Sequence, residues 1–176
     1  MFIKGDFIYL RALEMGDLDF LYELENNPAV WEISGTTAPY SKHVLRMYLD
    51  NAHRDIYDVK QLRLCICKHN DAAIGLLDLF DFDPKNRRAG VGIIISQATN
   101  RNQGAGQEAL QLLSDYAFSV LNLKQLYANV LEDNDASIHL FKKLGFAEVG
   151  LKKDWILSQN GFKNEILLQK INNLCT

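Results

Sequence analysis

Residues 88 to 113, RAGVGIIISQATNRNQGAGQEALQLL, join an apolar run to a glycine-bearing loop and then to a helical repeat. Ile93, Ile94 and Ile95 are apolar on both faces of a strand, the pattern of a strand covered on both sides. Beyond Gly104, Leu110, Leu113, Ala117 and Leu121 fall along one helical stripe. A buried strand followed by an amphipathic helix requires a sheet with helices packed on it. The junction carries the chemical question. Glycine is a poor helix former, yet Gly104 and Gly106 stand where the helix begins. Either they make a plain surface turn, or they bare backbone N–H groups to hold an anion.

The rest of the chain supplies the layers. FIKGDFIYLRAL alternates around Phe7, Tyr9 and Arg11 and reads as a strand. Asp17 can cap a helix with Leu18, Leu21 and Tyr22 on its apolar face, and Pro28 lies beyond its end. Ser41 precedes a second helix carrying Val44, Met47 and Tyr48. QLRLCICKHNDAAIGLLDLFDF reads as two strands joined at Asn70-Asp71. KQLYANVLE is a further strand, Asn134 to Leu144 a short helix closed by Gly145, and Asn160-Gly161 the turn of a last hairpin. The order is β-α-α-β-β-β-α-β-α-β-β, about seven strands and four helices in a mixed α/β sheet. No repeat, linker or low-complexity tract divides residues 1–176, so one domain is expected.

Charge and cysteine content narrow the partners. Nineteen basic against 22 acidic residues leave a net charge of −3, too little positive field to collect nucleic acid or acidic lipid. No apolar run approaches the roughly 20 residues that cross a bilayer, and the N-terminus lacks the apolar block of a signal peptide. Cys65 and Cys67 share one face of a strand, and no second Cys/His pair at zinc spacing follows. They read as buried thiols of a reducing cytoplasm, with no metal expected.

Three phosphate-binding patterns compete at the glycine loop. Gly104-Ala105-Gly106-Gln107-Glu108-Ala109 fits G-x-G-x-x-A, with Glu132 at the end of the next strand. Against that dinucleotide reading, seven residues, Gln97 to Gln103, separate the strand from the first glycine, and the chain closes in a hairpin. A Walker loop is excluded because no Lys-Ser or Lys-Thr follows the glycines. The third pattern is Arg101-x-x-Gly104-x-Gly106, between a central strand and a long helix.

This third pattern resembles the pyrophosphate loop of the GNAT N-acetyltransferases. NDASIHLFKKLGF, residues 134 to 146, is similar to a second element of that family, Asn-x-x-Ser/Ala-x-x-x-Tyr/Phe-x-x-x-Gly-Phe. LRALEMGDLDFLYELENNPAV, YSKHVLRMYLDNAH, DYAFSVLNLKQLYANV and GFKNEILLQKI extend the likeness along nearly the whole chain. Within the family they look most like the bacterial spermidine/spermine N-acetyltransferases, with the enzymes that acetylate protein N-termini as neighbours.

The resemblance implies acetyl-CoA as the cofactor and direct attack by a primary amine on its thioester. Ile93, Ile94 and Ile95 would border the pantetheine, and Arg101, Asn102, Gln103, Gly104, Ala105, Gly106 and Gln107 the pyrophosphate. Asn134, Ser137 and Phe141 would border the thioester end. A strand N–H near Ile94 would stabilise the developing oxyanion. The polyamine branch usually carries a tyrosine, its general acid, where this chain has Phe141. It carries a carboxylate where this chain has Gly90. Ser137 or Tyr127 could take over the proton.

Asp78 and Asp81 match family acids and could attract a polycation and accept its proton; a solvated strand end is the other reading. Asp81 and Asp83 share a face of a regular strand, and Asp78 opposes them unless a bulge intervenes. Glu32 and Tyr40 are further substrate-side candidates. The expected acceptor is a polyamine such as spermidine or spermine. A protein N-terminus, another metabolite amine, or a CoA-binding regulatory role are the alternatives. The C-terminal hairpin offers strands for a homo-oligomer.

Overall fold

A computed structural model describes residues 3–96 and 103–173. Among these, one sheet of eight strands is ordered β1-β2-β3-β4-β5-β6-β8-β7. In sequence the strands are β1 (Ile3–Lys4), β2 (Ile8–Ala12), β3 (Leu62–Lys68), β4 (Ala73–Asp83), β5 (Arg88–Ile95), β6 (Gln125–Leu131), β7 (Ala147–Ser158) and β8 (Gly161–Ile171). Six α-helices accompany them: α1 (Leu18–Glu25), α2 (Pro28–Ser34), α3 (Lys42–Asp50), α4 (Ile56–Val59), α5 (Ala105–Ser119) and α6 (Asp135–Lys143). Every pairing is antiparallel except β5 with β6. No helix of the described residues is long and apolar enough to cross a membrane.

The additional elements arise where local geometry overrides a smooth pattern. The N-terminal alternation breaks between β1 and β2, where the backbone N–H groups of Asp6, Phe7 and Ile8 donate to the Glu108 carboxylate at 2.5, 3.0 and 2.9 Å. Pro28 lies beyond the end of α1, as expected, and also starts a helix of its own. It occupies the first turn of α2, where no N–H is needed, and Asn27 caps the turn through Ala29 N. Ser41 caps α3 as expected, accepting from Val44 N at 3.2 Å. The apolar face of α3 is a correction: Leu45 and Leu49 are buried, whereas Val44 and Met47 are about half exposed.

Period-two alternation in the strands feeds two cores, one on each face. Leu77, Leu79, Val91 and Leu126 pack under α5 and α6, while Cys65, Cys67 and Leu76 pack under α1 and α3. Cys65 and Cys67 are free thiols with sulfurs 3.5 Å apart. A bulge between Phe80 and Asp83 adds one residue to β4, with Asp81 at a φ of 49°.

Glu108 ties this architecture to the glycine loop. It lies in the first turn of α5 and reaches across the fold to three consecutive N–H groups. A Cβ on Gly5 would collide with its carboxylate. Hydrogen bonds to a charged group contribute about 1.5–3 kcal/mol each. Glu108→Gln keeps the shape but gives up the charge and one acceptor oxygen. Its unfolding free energy in urea should fall by about 1.5–3 kcal/mol; an unchanged midpoint would show that the clamp contributes nothing.

Candidate active site

The site begins where two neighbouring strands part. β5 and β6 pair only at Arg88 with Gln125, Ala89 with Leu126 and Gly90 with Tyr127. Beyond these, β5 stays with β4 as far as Ile95, and β6 stays with β8 as far as Leu131 opposite Glu165. Each strand is held by its outer neighbour, so the two half-sheets diverge and leave a gap between them.

The register decides which backbone groups face that gap. Ser96 N donates to Ile74 O at 2.9 Å, which makes Leu76 and Ile94 the next hydrogen-bonding pair along the ladder. In agreement, a Cβ on Gly75 would collide with the Ile94 carbonyl oxygen. Ile93 and Ile95 therefore turn their backbone groups towards the gap, and Ile94 contributes its side chain. This corrects the placement of the strand N–H near Ile94.

Two cavities open from the gap. The larger, about 880 Å³, is lined by Ile93, Ile94, Ile95, Gly104, Gly106 and Gln107 on one side and by Asn134, Ser137 and Leu140 on the other. The N-termini of α5 and α6 therefore both border it, each carrying partial positive charge. Gly104 holds the N-cap of α5 with φ of 86°, a left-handed conformation that favours glycine. Asn134 caps α6 through its side-chain oxygen, which accepts from Ser137 N at 3.2 Å. The Asn134 NH₂ has no partner among the described residues. Gln103 and Ala105 flank Gly104 at the start of α5, while Arg101 and Asn102 lie outside the described residues.

The smaller cavity, about 390 Å³, shares Glu32, Ile93, Ile94, Leu131, Asn134 and Ser137 with the larger, so the two meet at the point of divergence. Phe141 lines it, only 2% exposed and edge-on to Phe146 at 5.0 Å. Asp78 lines it too, with Oδ1 accepting from Arg63 Nε at 2.7 Å and from Gln61 at 3.2 Å. A second Arg63 donor reaches Glu25 at 2.7 Å. Burial opposes the Arg63 charge, but the two carboxylates outweigh it and push the guanidinium above its ordinary range. Glu165 pairs with Lys152 at 2.8 Å, and Glu32 with Lys163 at 2.9 Å.

Two of the four substrate-side candidates, Glu32 and Asp78, are brought to this cavity, and two are not. Asp81 stands within the bulge of β4, and the bulge does not bring it to Asp78. Asp81 is exposed, lines neither cavity and accepts from the Tyr127 hydroxyl at 3.2 Å. Burial first, then the Asp81 charge, pushes the Tyr127 hydroxyl up to about 12. Tyr40 also lines neither cavity; its backbone is tied to Asn26 by two hydrogen bonds. At Gly90 a Cβ would collide with the Phe80 ring, so an aromatic side chain fills the place beside that glycine. The sequence reading missed Arg63, Glu25, Lys152 and Lys163. Arg63 alone left a signal, a charge inside the apolar strand LRLCIC.

A parallel pair that splays beside two helix N-termini, with an acidic cavity at its base, is the plan of an acyl-CoA-dependent amine acyltransferase. The chain matches the family described as "Acetyltransferase (GNAT) domain" over residues 8–147 and belongs to it. It is 35% identical over 143 residues to the spermidine N(1)-acetyltransferase of Escherichia coli (strain K12), covering 81% of this chain and 74% of that protein. Spermidine N-acetyltransferase from Vibrio cholerae, solved with CoA and spermine, superimposes with a TM-score of 0.85 at 25% identity, over 95% of this chain and 96% of that one. A dodecameric structure of the Vibrio cholerae enzyme gives 0.79 at 28% identity, over 95% of each chain. The protein is a GNAT N-acetyltransferase, and the family's acyl donor is acetyl-CoA.

Proposed function

We propose that the protein transfers the acetyl group of acetyl-CoA to a primary amine of a polyamine. The observation that carries the proposal is the parting of β5 from β6 beyond Gly90, between two helix N-termini, opening at its base on a cavity lined by Glu32, Asp78 and Glu165. Resemblance to the spermidine enzymes supports the choice of acceptor.

The residues fit the donor. Backbone groups of Ile93 and Ile95 hold the pantetheine as an added strand would be held. The loop from Arg101 to Gln107 and the α5 N-terminus take the pyrophosphate. Asn134 and Ser137 border the thioester. When bound, acetyl-CoA supplies the carbonyl carbon that the amine attacks and the thiol that departs. The amine has a pKa near 10.4 in solution, so it must lose a proton before attack. Asp78 is the nearby carboxylate for that proton, by way of water. The Ile93 N–H faces the oxyanion that forms as the C–N bond is made. As the C–S bond breaks, the attacking nitrogen, cationic once bonded to carbon, must give up its second proton, to water or to the departing thiolate. Phe141 has none to give, and the thiol's own pKa near 8.5 makes the thiolate a tolerable leaving group. Residues 1–176 act as one domain, in the cytoplasm, and as a homo-oligomer.

Release of CoA thiol from acetyl-CoA, measured with spermidine, spermine, putrescine and N-terminal peptides in parallel, tests this. Release with polyamines is expected. Release only with another amine would overturn the acceptor, and CoA binding without release would overturn transfer itself.

A further inference from the structure

The acceptor cavity brings its own cations. Among the described residues, each of the three carboxylates lining it is paired with a basic side chain from a neighbouring strand: Asp78 with Arg63, Glu165 with Lys152, and Glu32 with Lys163. Two of these cations are shared outward, Arg63 with Glu25 and Lys163 with Asp133, both within 2.8 Å. Lys152 is steadied by Asn129 at 2.8 Å and by the Trp155 ring at 5.2 Å. Asp78, Glu25 and Glu165 side chains are each 13% exposed, so little water competes for them. Of these groups Glu32, Asp78, Glu165 and Arg63 line the cavity itself, three carboxylates against one guanidinium, which leaves two net negative charges on its lining.

We propose that Arg63, which lines the acceptor cavity, and Lys152, which holds the lining carboxylate of Glu165 from behind it, are specificity residues that take up carboxylate charge an ammonium would otherwise meet, so that the cavity takes putrescine or spermidine in preference to spermine. The inference rests on the polyamine reading above. Its physical basis is charge balance. With the reacting nitrogen neutral, spermidine keeps two positive charges and putrescine one, and the cavity can neutralise either. Spermine keeps three, and its outermost ammonium would have to displace a guanidinium or a lysine already held at hydrogen-bond distance. A guanidinium bridging two carboxylates is hard to displace, because its planar donors are fixed in place by both.

The test compares kcat/KM for putrescine, spermidine and spermine in the wild type, Lys152→Met and Arg63→Met. The wild type is expected to use spermine no better than spermidine. Removing one cation from a cationic ligand's surroundings should raise the spermine-to-spermidine ratio of kcat/KM roughly tenfold in each variant. The KM for acetyl-CoA should stay unchanged, which a general loosening of the fold would not allow. Lys152 is the more exposed of the two, so Lys152→Met keeps the test decisive if Arg63→Met does not fold. A wild type that takes spermine tenfold better than spermidine overturns the inference, as does a ratio that neither substitution moves. A wild type that acetylates no polyamine removes the reading beneath it, and is told apart by its silence in all wells.

Discussion

Replacing Arg11 with methionine is expected to lower the thermal midpoint by roughly 6–20 °C, the consequence of stranding one buried carboxylate. Two Arg11 nitrogens donate to the two oxygens of Asp17 at 2.7 and 2.8 Å, and the side chains are 14% and 7% exposed. Asp17 also accepts from Glu14 N at 2.8 Å, which fixes the turn before α1. Removing one partner from such a pair costs about 3–5 kcal/mol, because the other charge stays buried without compensation. The double variant Arg11→Met, Asp17→Leu should recover most of that loss, since no charge is then left behind. Thermal unfolding of the single and double variants checks the claim, and equal losses in both would refute it.

The same pair predicts the acid limb of stability. Burial raises the Asp17 carboxyl, but the Arg11 guanidinium and the Glu14 N–H outweigh it and hold the carboxyl below its usual range. A depressed carboxyl contributes stability that is fully present above the unfolded value, about 3.9. That contribution is lost as pH falls through the folded value. The stability of the wild type relative to the double variant should therefore fall in acid, and a difference independent of pH would exclude this origin.

The second large effect concerns catalysis. Phe141→Tyr should raise kcat by about a hundredfold at most, the low end of what general acid catalysis contributes. The residue lines the cavity at the point where the strands diverge, so under the proposed reading a hydroxyl added to its ring would enter the space beside the departing thiol. The gain is modest because the thiol, with a pKa near 8.5, leaves without full protonation. It should be largest at neutral pH and vanish as the tyrosine itself ionises near pH 10. A gain confined to high pH has the wrong sign for a restored acid and would sink the idea. A rise with KM for both substrates unchanged separates chemistry from binding.

Local chemistry made some elements readable and left others hidden. Ser41, Gly104, Asn134 and Gly145 act within a turn of themselves, so their caps and bends could be read from neighbouring residues. Asn70-Asp71 and Asn160-Gly161 do the same for two hairpins. Pro28 marked the end of α1 but gave no sign of α2, because proline follows one helix and begins another equally well, and only the cap at Asn27 reveals the second. The exposure of Val44 and Met47 depended on the side from which α3 meets the sheet.

In the site the division is sharper. The glycine loop and the helix cap at Asn134 are contiguous segments, so the resemblance to the GNAT family could be seen in them, and that resemblance implied acetyl-CoA. Arg63 finds Glu25 across 38 residues and Asp78 across 15, and Lys152 finds Glu165 across 13. No periodicity encodes such meetings. Asp81 sits in the bulge of β4, and even a regular strand would have put it on the face opposite Asp78, so the three-residue spacing alone could not bring both to one cavity. The sequence by itself determined the order of elements around the central strand, the glycine loop and the amine-acetylating family, because those depend on local propensity and short motifs. The tertiary structure alone decided that β5 turns Ile93 and Ile95 to the gap and that each cavity carboxylate has a cation. Strand register and long-range charge pairing exist only once the chain has packed.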